Sequence, residues 1–273
     1  MNIFCEESTV RFIEVDRSDT LTIASTFDLF QEAAISHAEI LGVGREAMKQ
    51  SGQVWILSRL SVFMDRRPRF GEKITVRSWP RGSNKLFAIR DYDIRDCSDQ
   101  ALIRGRSAWL IVDLEKRRPL RPQTVVETLP LNEGINALPG INPESNDPPP
   151  SLTEREFIQE DSVLRRACYS DIDYNGHVNN TRYIQWIQDL LEPEILEKAK
   201  QIRLDINYLA EVRYGETITL YCSPVDVPSE DCSPDNPLYG QTPLPCTAAY
   251  AIEGRRGSDC ETVPVFRSEL RTG

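Results

Sequence analysis

Residues 171–180 read Asp-Ile-Asp-Tyr-Asn-Gly-His-Val-Asn-Asn and hold one of only two histidines in a chain of 273 residues. Asp173, Asn175 and His177 alternate, so an extended segment here points all three side chains one way. A carboxylate, an amide and an imidazole on one face are the parts of a hydrolytic site: a proton acceptor for water, a group to orient it, and an N–H donor for a carbonyl oxygen. The same residues have a plainer use. Asn175-Gly176 is a common turn dipeptide that Asp173 is suited to start, and Asn179 or Asn180 is suited to cap the helical run that follows.

Composition narrows the rest. A net charge of −10 argues against a broad nucleic-acid surface. No apolar run approaches the ~18–20 residues of a membrane span, and the first residues lack the basic start and apolar stretch of a signal peptide. Seven cysteines with no Cys-x-x-Cys disfavour a zinc site of the usual spacing and suit a reduced, cytosolic setting. Whether Cys232 and Cys246 meet across a hairpin is left open by the sequence. Basic residues cluster at Arg66, Arg67 and Arg69, and at Lys116, Arg117, Arg118 and Arg121. Such runs are usually solvated loop ends; on an acidic protein they also suit docking of an acidic partner.

The elements that must position the trio form a repeated pattern. Apolar residues Phe27, Phe30, Ala34, Ile35, Ala38 and Leu41 recur at helical spacing and predict a helix over 27–50, capped by Ser25 or Thr26, whose regular part Gly42 to Gly44 weakens or ends. Four β-rich runs follow, 54–63, 73–79, 86–94 and 101–112, broken by Pro68, Gly71, Pro80-Arg81-Gly82 and Cys97-Ser98-Asp99. Residues 129–152 contain six prolines and predict an extended, semi-rigid linker. The second half repeats the order: a strand at 162–167, the Asp173–His177 loop, a helix at 180–200 that Pro193 breaks, and strands at 201–209, 216–224, 244–253 and 261–270. Residues 226–245, with five prolines, read as an exposed excursion. The expected division is 1–128, a linker 129–152, and 153–273. Each half reads as a long helix wrapped by a curved antiparallel sheet, an α+β hotdog unit. Two in tandem make a double hotdog, either a monomeric pseudo-dimer or a homodimer of such chains.

The sequence resembles the acyl-ACP thioesterase family of plastids and bacteria over nearly its whole length. Gln31-Glu32-Ala33-Ala34 with His37, Trp55-Ile56-Leu57-Ser58-Arg59, Pro68 with Gly71-Glu72, Trp79-Pro80 and Ser107-Ala108-Trp109 are similar to landmarks of its first half. Residues 170–186, with Asp173, Asn175 and His177, are similar to its most specific motif. The resemblance implies that those three residues are catalytic and that Glu211, in Tyr208-Leu209-Ala210-Glu211-Val212, is a further catalytic acid on the strand after the helix. Plant members carry a cysteine where this chain has Val212, so a covalent thiol mechanism does not carry over.

The implied activity is hydrolysis of a fatty acyl thioester on acyl carrier protein (ACP), with no metal or organic cofactor. His177 and Glu211 are both candidates for the base, Asp173 for the group that orients its neighbours, and Asn175 for the N–H donor. The loop at 16–25 has no counterpart of Asn175 or His177, so the first half is expected to line the acyl pocket, with Trp55, Phe87 and Trp109 as candidates, although plain core packing is the commoner role for such aromatics. The two basic clusters are candidates to receive the acidic carrier. Rival readings are an acyl-CoA thioesterase, a hotdog dehydratase and a non-catalytic acyl-binding sensor. A cytoplasmic location is expected, or the plastid stroma in a plant or alga.

Overall fold

The computed structural model describes residues 3–132, 134–138, 145–157, 162–226, 247–258 and 261–273. The first half runs β1 (Phe4–Thr9), a 3-10 turn (Phe12–Glu14), α1 (Ile23–Ile40), α2 (Arg45–Gln50), β2 (Gln53–Met64), β3 (Lys73–Asn84), β4 (Phe87–Asp96), β5 (Ala101–Asp113), β6 (Arg118–Leu120) and α3 (Gln123–Val126). The second half runs β7 (Val163–Arg166), a 3-10 turn (Tyr169–Asp171), α4 (Asn180–Asp189), α5 (Pro193–Lys198), β8 (Ile202–Tyr208), β9 (Thr217–Pro224), β10 (Ala248–Ser258) and β11 (Glu261–Thr272).

One antiparallel sheet carries both halves, in the order β1-β3-β4-β5-β2-β8-β11-β10-β9-β7, with β6 paired to β5. The order is a palindrome: each half has its short first strand at the outer edge and its post-helix strand at the centre. The centre is the antiparallel seam of β2 with β8, from Arg59 opposite Asn207 to Met64 opposite Ile202. This is the double hotdog, with both units in one chain.

The helix of each half is buried by its apolar spacing. In α1, Ile23, Phe27, Phe30, Ala34 and His37 recur three or four apart, and all are buried. Phe30 stacks on Tyr92 at 4.7 Å between centroids. It also packs so close over Gly105 that a Cβ there would lie 2.6 Å from the ring, which explains a glycine inside β5. Truncating Phe30 to Ala would cost about 3–5 kcal/mol. The helices α1 and α4 are tied together by the Ala24 N–H, which donates to Gln188 Oε1 at 2.8 Å.

Several sequence expectations need correcting. The helix of 27–50 is two helices, because Gly42 takes φ +73° and Gly44 starts α2. The cap of α1 is Thr22, which accepts from the Ser25 N–H, so the helix begins earlier than its strongest apolar residues suggest. Pro80-Arg81-Gly82 does not end a strand; the register shifts there and β3 continues to Asn84 as a bulged strand. The edge strand β1 was not expected. Cys232, Cys246 and most of the proline-rich excursion lie outside the described residues.

The proline-rich connection is fastened across the sheet. Arg81 donates to the carbonyls of Asn132 and Ile135 at 2.7 Å each, and Trp79 Nε1–H donates to Ile135 O. The Asn207 amide donates to Pro150 O at 2.9 Å and accepts from the Leu152 N–H at 2.8 Å. Arg81 and Arg106 share the fully buried Asp91. Buried donors are satisfied by a chain too rich in proline to pair as a strand. Among the described residues, no helix is long and apolar enough to cross a membrane.

Candidate functional site

The trio of Asp173, Asn175 and His177 sits in a tight turn, not an extended segment, and this corrects the alternating-face expectation. Asp173 Oδ1 accepts from the Asn175 N–H at 2.8 Å, the Asp173 N–H donates to His177 O at 2.8 Å, and Gly176 closes the turn at φ +80°. A short carboxylate that bonds two residues ahead and a glycine free to adopt positive φ make this turn locally. Its ends pair as an isolated bridge of Ile172 with Val178. Asn179 is the N-cap of α4, accepting from the Thr181 N–H at 3.0 Å.

The turn is laid beside the β8–β9 connection. The Val178 N–H donates to Val212 O at 2.8 Å, and His177 forms a bridge with Arg213. That pairing sets His177 Nε2 at 3.1 Å from Glu211 Oε2. Glu211 therefore lies past the end of β8 in the connection, not on the strand, and its side chain is 58% exposed against 26% for His177. Val212 is completely buried and pins the connection while its neighbour faces out.

Residues that the sequence did not mark hold this arrangement. Arg256 donates to Glu211 O at 3.0 Å and pairs with Glu216, which in turn accepts from the Arg213 N–H. Tyr183 lies under the connection, and burial holds its phenol well above the ordinary range, so it stays protonated. Its place on the apolar face of α4 was legible; its contact with the connection was not. Tyr174, exposed in the turn, lies 3.8 Å under the Arg45 guanidinium of α2, so the second half's turn reaches a helix of the first half.

The first half contains the same turn with different side chains. Val15 pairs with Leu21, the Asp16 N–H donates to Thr20 O, the Ser18 N–H donates to Asp16 Oδ1, and Asp19 takes φ 63°. The Leu21 N–H donates to Pro68 O, and Thr20 bridges Arg69. Asp16 thus stands where Asp173 does, Ser18 for Asn175, Thr20 for His177, and Arg67 for Glu211. Arg67 is 8% exposed, pairs with Asp16 Oδ2 at 2.6 Å and donates to Leu196 O at 2.8 Å. It is engaged inside and has no surface to offer a carrier.

The other expected residues are placed as follows. Trp55 Nε1–H donates to Val43 O, and Trp109 Nε1–H to Ser107 Oγ, which also meets Tyr92 Oη. The Phe87 ring lies 5.1 Å from the Arg59 guanidinium. Arg66 pairs with Glu72, and exposed Arg69 sits beside the first turn. Lys116, Arg117, Arg118 and Arg121 are exposed on and just after the β5–β6 hairpin. There the Leu114 N–H reaches Gly52 O, just after α2. The hairpin thus touches the chain just after α2, whose first residue Arg45 meets Tyr174 of the 173–177 turn; the Arg66–Arg69 cluster lies beside the other turn.

Comparison with known proteins decides the family. Residues 1–127 match the acyl-ACP thioesterase N-terminal domain, and residues 157–258 match the acyl-ACP thioesterase C-terminal domain. The chain belongs to the acyl-ACP thioesterase family. A chloroplastic palmitoyl-acyl carrier protein thioesterase of Cuphea hookeriana is 27% identical over 225 residues, covering 77% of this chain and 52% of that protein. A chloroplastic oleoyl-acyl carrier protein thioesterase of Coriandrum sativum is 24% identical, covering 80% and 62%. The chain spans about half the length of the curated relatives that it matches first. In fold it is similar to an acyl-ACP thioesterase from Bacteroides thetaiotaomicron (TM-score 0.78, 23% identity, 100% and 98% of the two chains). A 12:0-ACP thioesterase from Umbellularia californica gives a TM-score of 0.76 at 18% identity, covering 100% and 98%.

Proposed function

We propose that this member of the family hydrolyses fatty acyl-ACP to free fatty acid and ACP, at the turn of Asp173, Asn175 and His177 with Glu211. The observation that carries the reading is the 3.1 Å pair of His177 Nε2 and Glu211 Oε2 in a partly exposed turn. A carboxylate only accepts, so Nε2 carries the hydrogen and Nδ1 of neutral His177 keeps the lone pair. His177 then takes a proton from water at Nδ1 while Glu211 holds the imidazolium that forms. The water oxygen bonds to the thioester carbon, Asn175 Nδ2 donates to the oxyanion, and collapse breaks the C–S bond. The leaving thiolate, with a pKa near ~8.5, needs little protonation. Asp173 fixes the turn by accepting the Asn175 N–H. No thiol takes part: Val212 is at the position next to Glu211, and burial pushes the Cys222 thiol up to about 11.

The same reading gives 1–128 as the half that lines the acyl chain, 129–152 as the connection and 153–273 as the half that carries the chemistry. It gives the hairpin cluster from Lys116 to Arg121, rather than Arg66 and Arg69, as the carrier-docking surface. A cytoplasmic or stromal setting accompanies it. The test is turnover on a ladder of acyl-ACPs beside acyl-CoAs of equal length, at low salt, with wild type and Arg117→Ala/Arg118→Ala. Preference for the ACP series, weakened in the variant, is expected; equal or better turnover of acyl-CoA would favour the CoA thioesterase reading.

A further inference from the structure

Each turn touches the short helix of the opposite half, and the two contacts are built differently. Arg17 follows Asp16 as Tyr174 follows Asp173, so these two side chains are counterparts. Helix α5 follows α4 as α2 follows α1, so the two short helices are counterparts as well. Arg17 pairs with Glu194 at 3.1 Å and with Glu197, both on α5, and Arg67 donates to Leu196 O of the same helix at 2.8 Å. Tyr174 instead has its ring centroid 3.8 Å from the guanidinium carbon of Arg45 on α2. The charge has changed sides. The first turn brings a cation to its helix; the second receives one from it.

The change fits what the second turn has to keep free. Arg67, the counterpart of Glu211, ties the first turn down by holding both Asp16 and Leu196 O. Glu211 is turned to His177 instead. No hydrogen bond or ion pair among the described residues joins 173–177 to the first half, so the polar tie left to this turn is the stacking of Arg45 on Tyr174. A cation at position 174, like Arg17 in the first turn, would compete with His177 for Glu211 and would draw Asp173 out of the turn. A neutral ring holds its partner through the π-face and brings no charge to those carboxylates.

Helix α2 is fastened to the first half. Glu39 Oε1 of α1 accepts from the Arg45 N–H at 2.8 Å, and Gly44 leaves room for that carboxylate, since a Cβ there would overlap it. Val43 O accepts from Trp55 Nε1–H of β2 at 2.9 Å. Arg45 therefore stands on the frame of the first half, while Tyr174 sits inside the turn that the Asp173 N–H closes onto His177 O. We propose that Arg45 and Tyr174 are positioning residues for hydrolysis: their stacking sets the reactive turn against the half that lines the acyl chain, and so sets where the thioester carbon meets His177. The reactivity of the turn rests on the proposed function; the stacking is read without it.

The test is a double-mutant cycle in the full-length protein, with acyl-ACP as substrate. Both side chains are exposed, so truncating them opens no cavity in the core. Arg45→Ala and Tyr174→Leu should each lower kcat roughly two- to fivefold, the worth of one exposed cation–π contact, with KM held within about twofold. The double variant should be no slower than either single one, because all three lack the same contact. Arg45→Lys and Tyr174→Phe, which keep the charge and the ring, should stay close to wild type. Arg17→Ala, at the other turn, should leave kcat unchanged. Hydrogen–deuterium exchange read by mass spectrometry supplies a measure free of turnover: the peptide spanning 173–177 should exchange faster in Arg45→Ala and Tyr174→Leu, and at the wild-type rate in Arg17→Ala. Losses that multiply in the double variant, a change in KM alone, a Tyr174→Phe as slow as Tyr174→Leu, or an unaltered exchange rate would overturn the proposal. Such a failure beside a His177→Ala that has lost hydrolysis counts against the stacking alone, whereas hydrolysis retained in His177→Ala removes the catalytic reading on which the proposal rests.

Discussion

The two turns of this chain, 16–20 and 173–177, share a backbone and differ in nearly every side chain that matters to chemistry. Both are held by an aspartate bonding two residues ahead, both take positive φ at the fourth residue, and both are stitched to the connection that follows the central strand. One presents an imidazole 3.1 Å from a carboxylate, partly exposed; the other presents a threonine, and an arginine locked onto the turn's own aspartate. The scaffold therefore carries either set of side chains. What separates the two copies is three substitutions, Asn for Ser, His for Thr and Glu for Arg, and the exposure that follows when the acid is not buried in a salt bridge.

That contrast can be broken most directly by turnover. His177→Ala should lower kcat by about 10²–10⁴, the usual worth of a general base, while Thr20→Ala leaves it unchanged; equal losses, measured on folded proteins, would end the assignment of one active turn. Stability should answer the opposite way. Arg67→Met strands Asp16 and Leu196 O and should cost about 2–3 kcal/mol in urea unfolding, whereas Glu211→Gln, at an exposed site, should change stability by under ~1 kcal/mol. A pH-dependent effect marks the interior of the first half. Burial and the adjacent Arg90 lower His37 to about 4 from an ordinary 6.5. The unfolded chain binds that proton first, so stability is lost as pH falls from about 6.5 to about 4, by up to ~3 kcal/mol. His37→Gln should flatten that part of the stability–pH curve, and an unaltered slope would show that His37 is not its source.

Much of this was legible in the sequence. Strands β2, β4, β5, β8 and β9 lie within one or two residues of their apolar runs, because alternation and turn residues are local signals. The misses have physical causes. Phe4–Thr9 is an edge strand with mostly exposed side chains, so its burial pattern is faint. Pro80 and Gly82 read as a stop, yet a bulge absorbs them. Residue type and spacing single out the trio as a candidate but do not give its geometry, since the Asp173 carboxylate turns the chain instead of pointing along it. The pairing of His177 with Glu211 depends on Val178 meeting Val212, a contact between distant segments that no local pattern encodes. The likeness of the two turns was hidden for the same reason: it lies in hydrogen bonds, while their side chains have little in common.

The proline-rich strap between the halves has a consequence for how such asymmetry arises. In a dimer of identical chains, every substitution appears twice, and a change that ruins one turn ruins both. Fastened by Arg81, Trp79 and Asn207, the two units are partners at an effective concentration that dilution cannot lower. Each is then free to drift alone, and the strap turns a symmetric pair into two separately heritable halves.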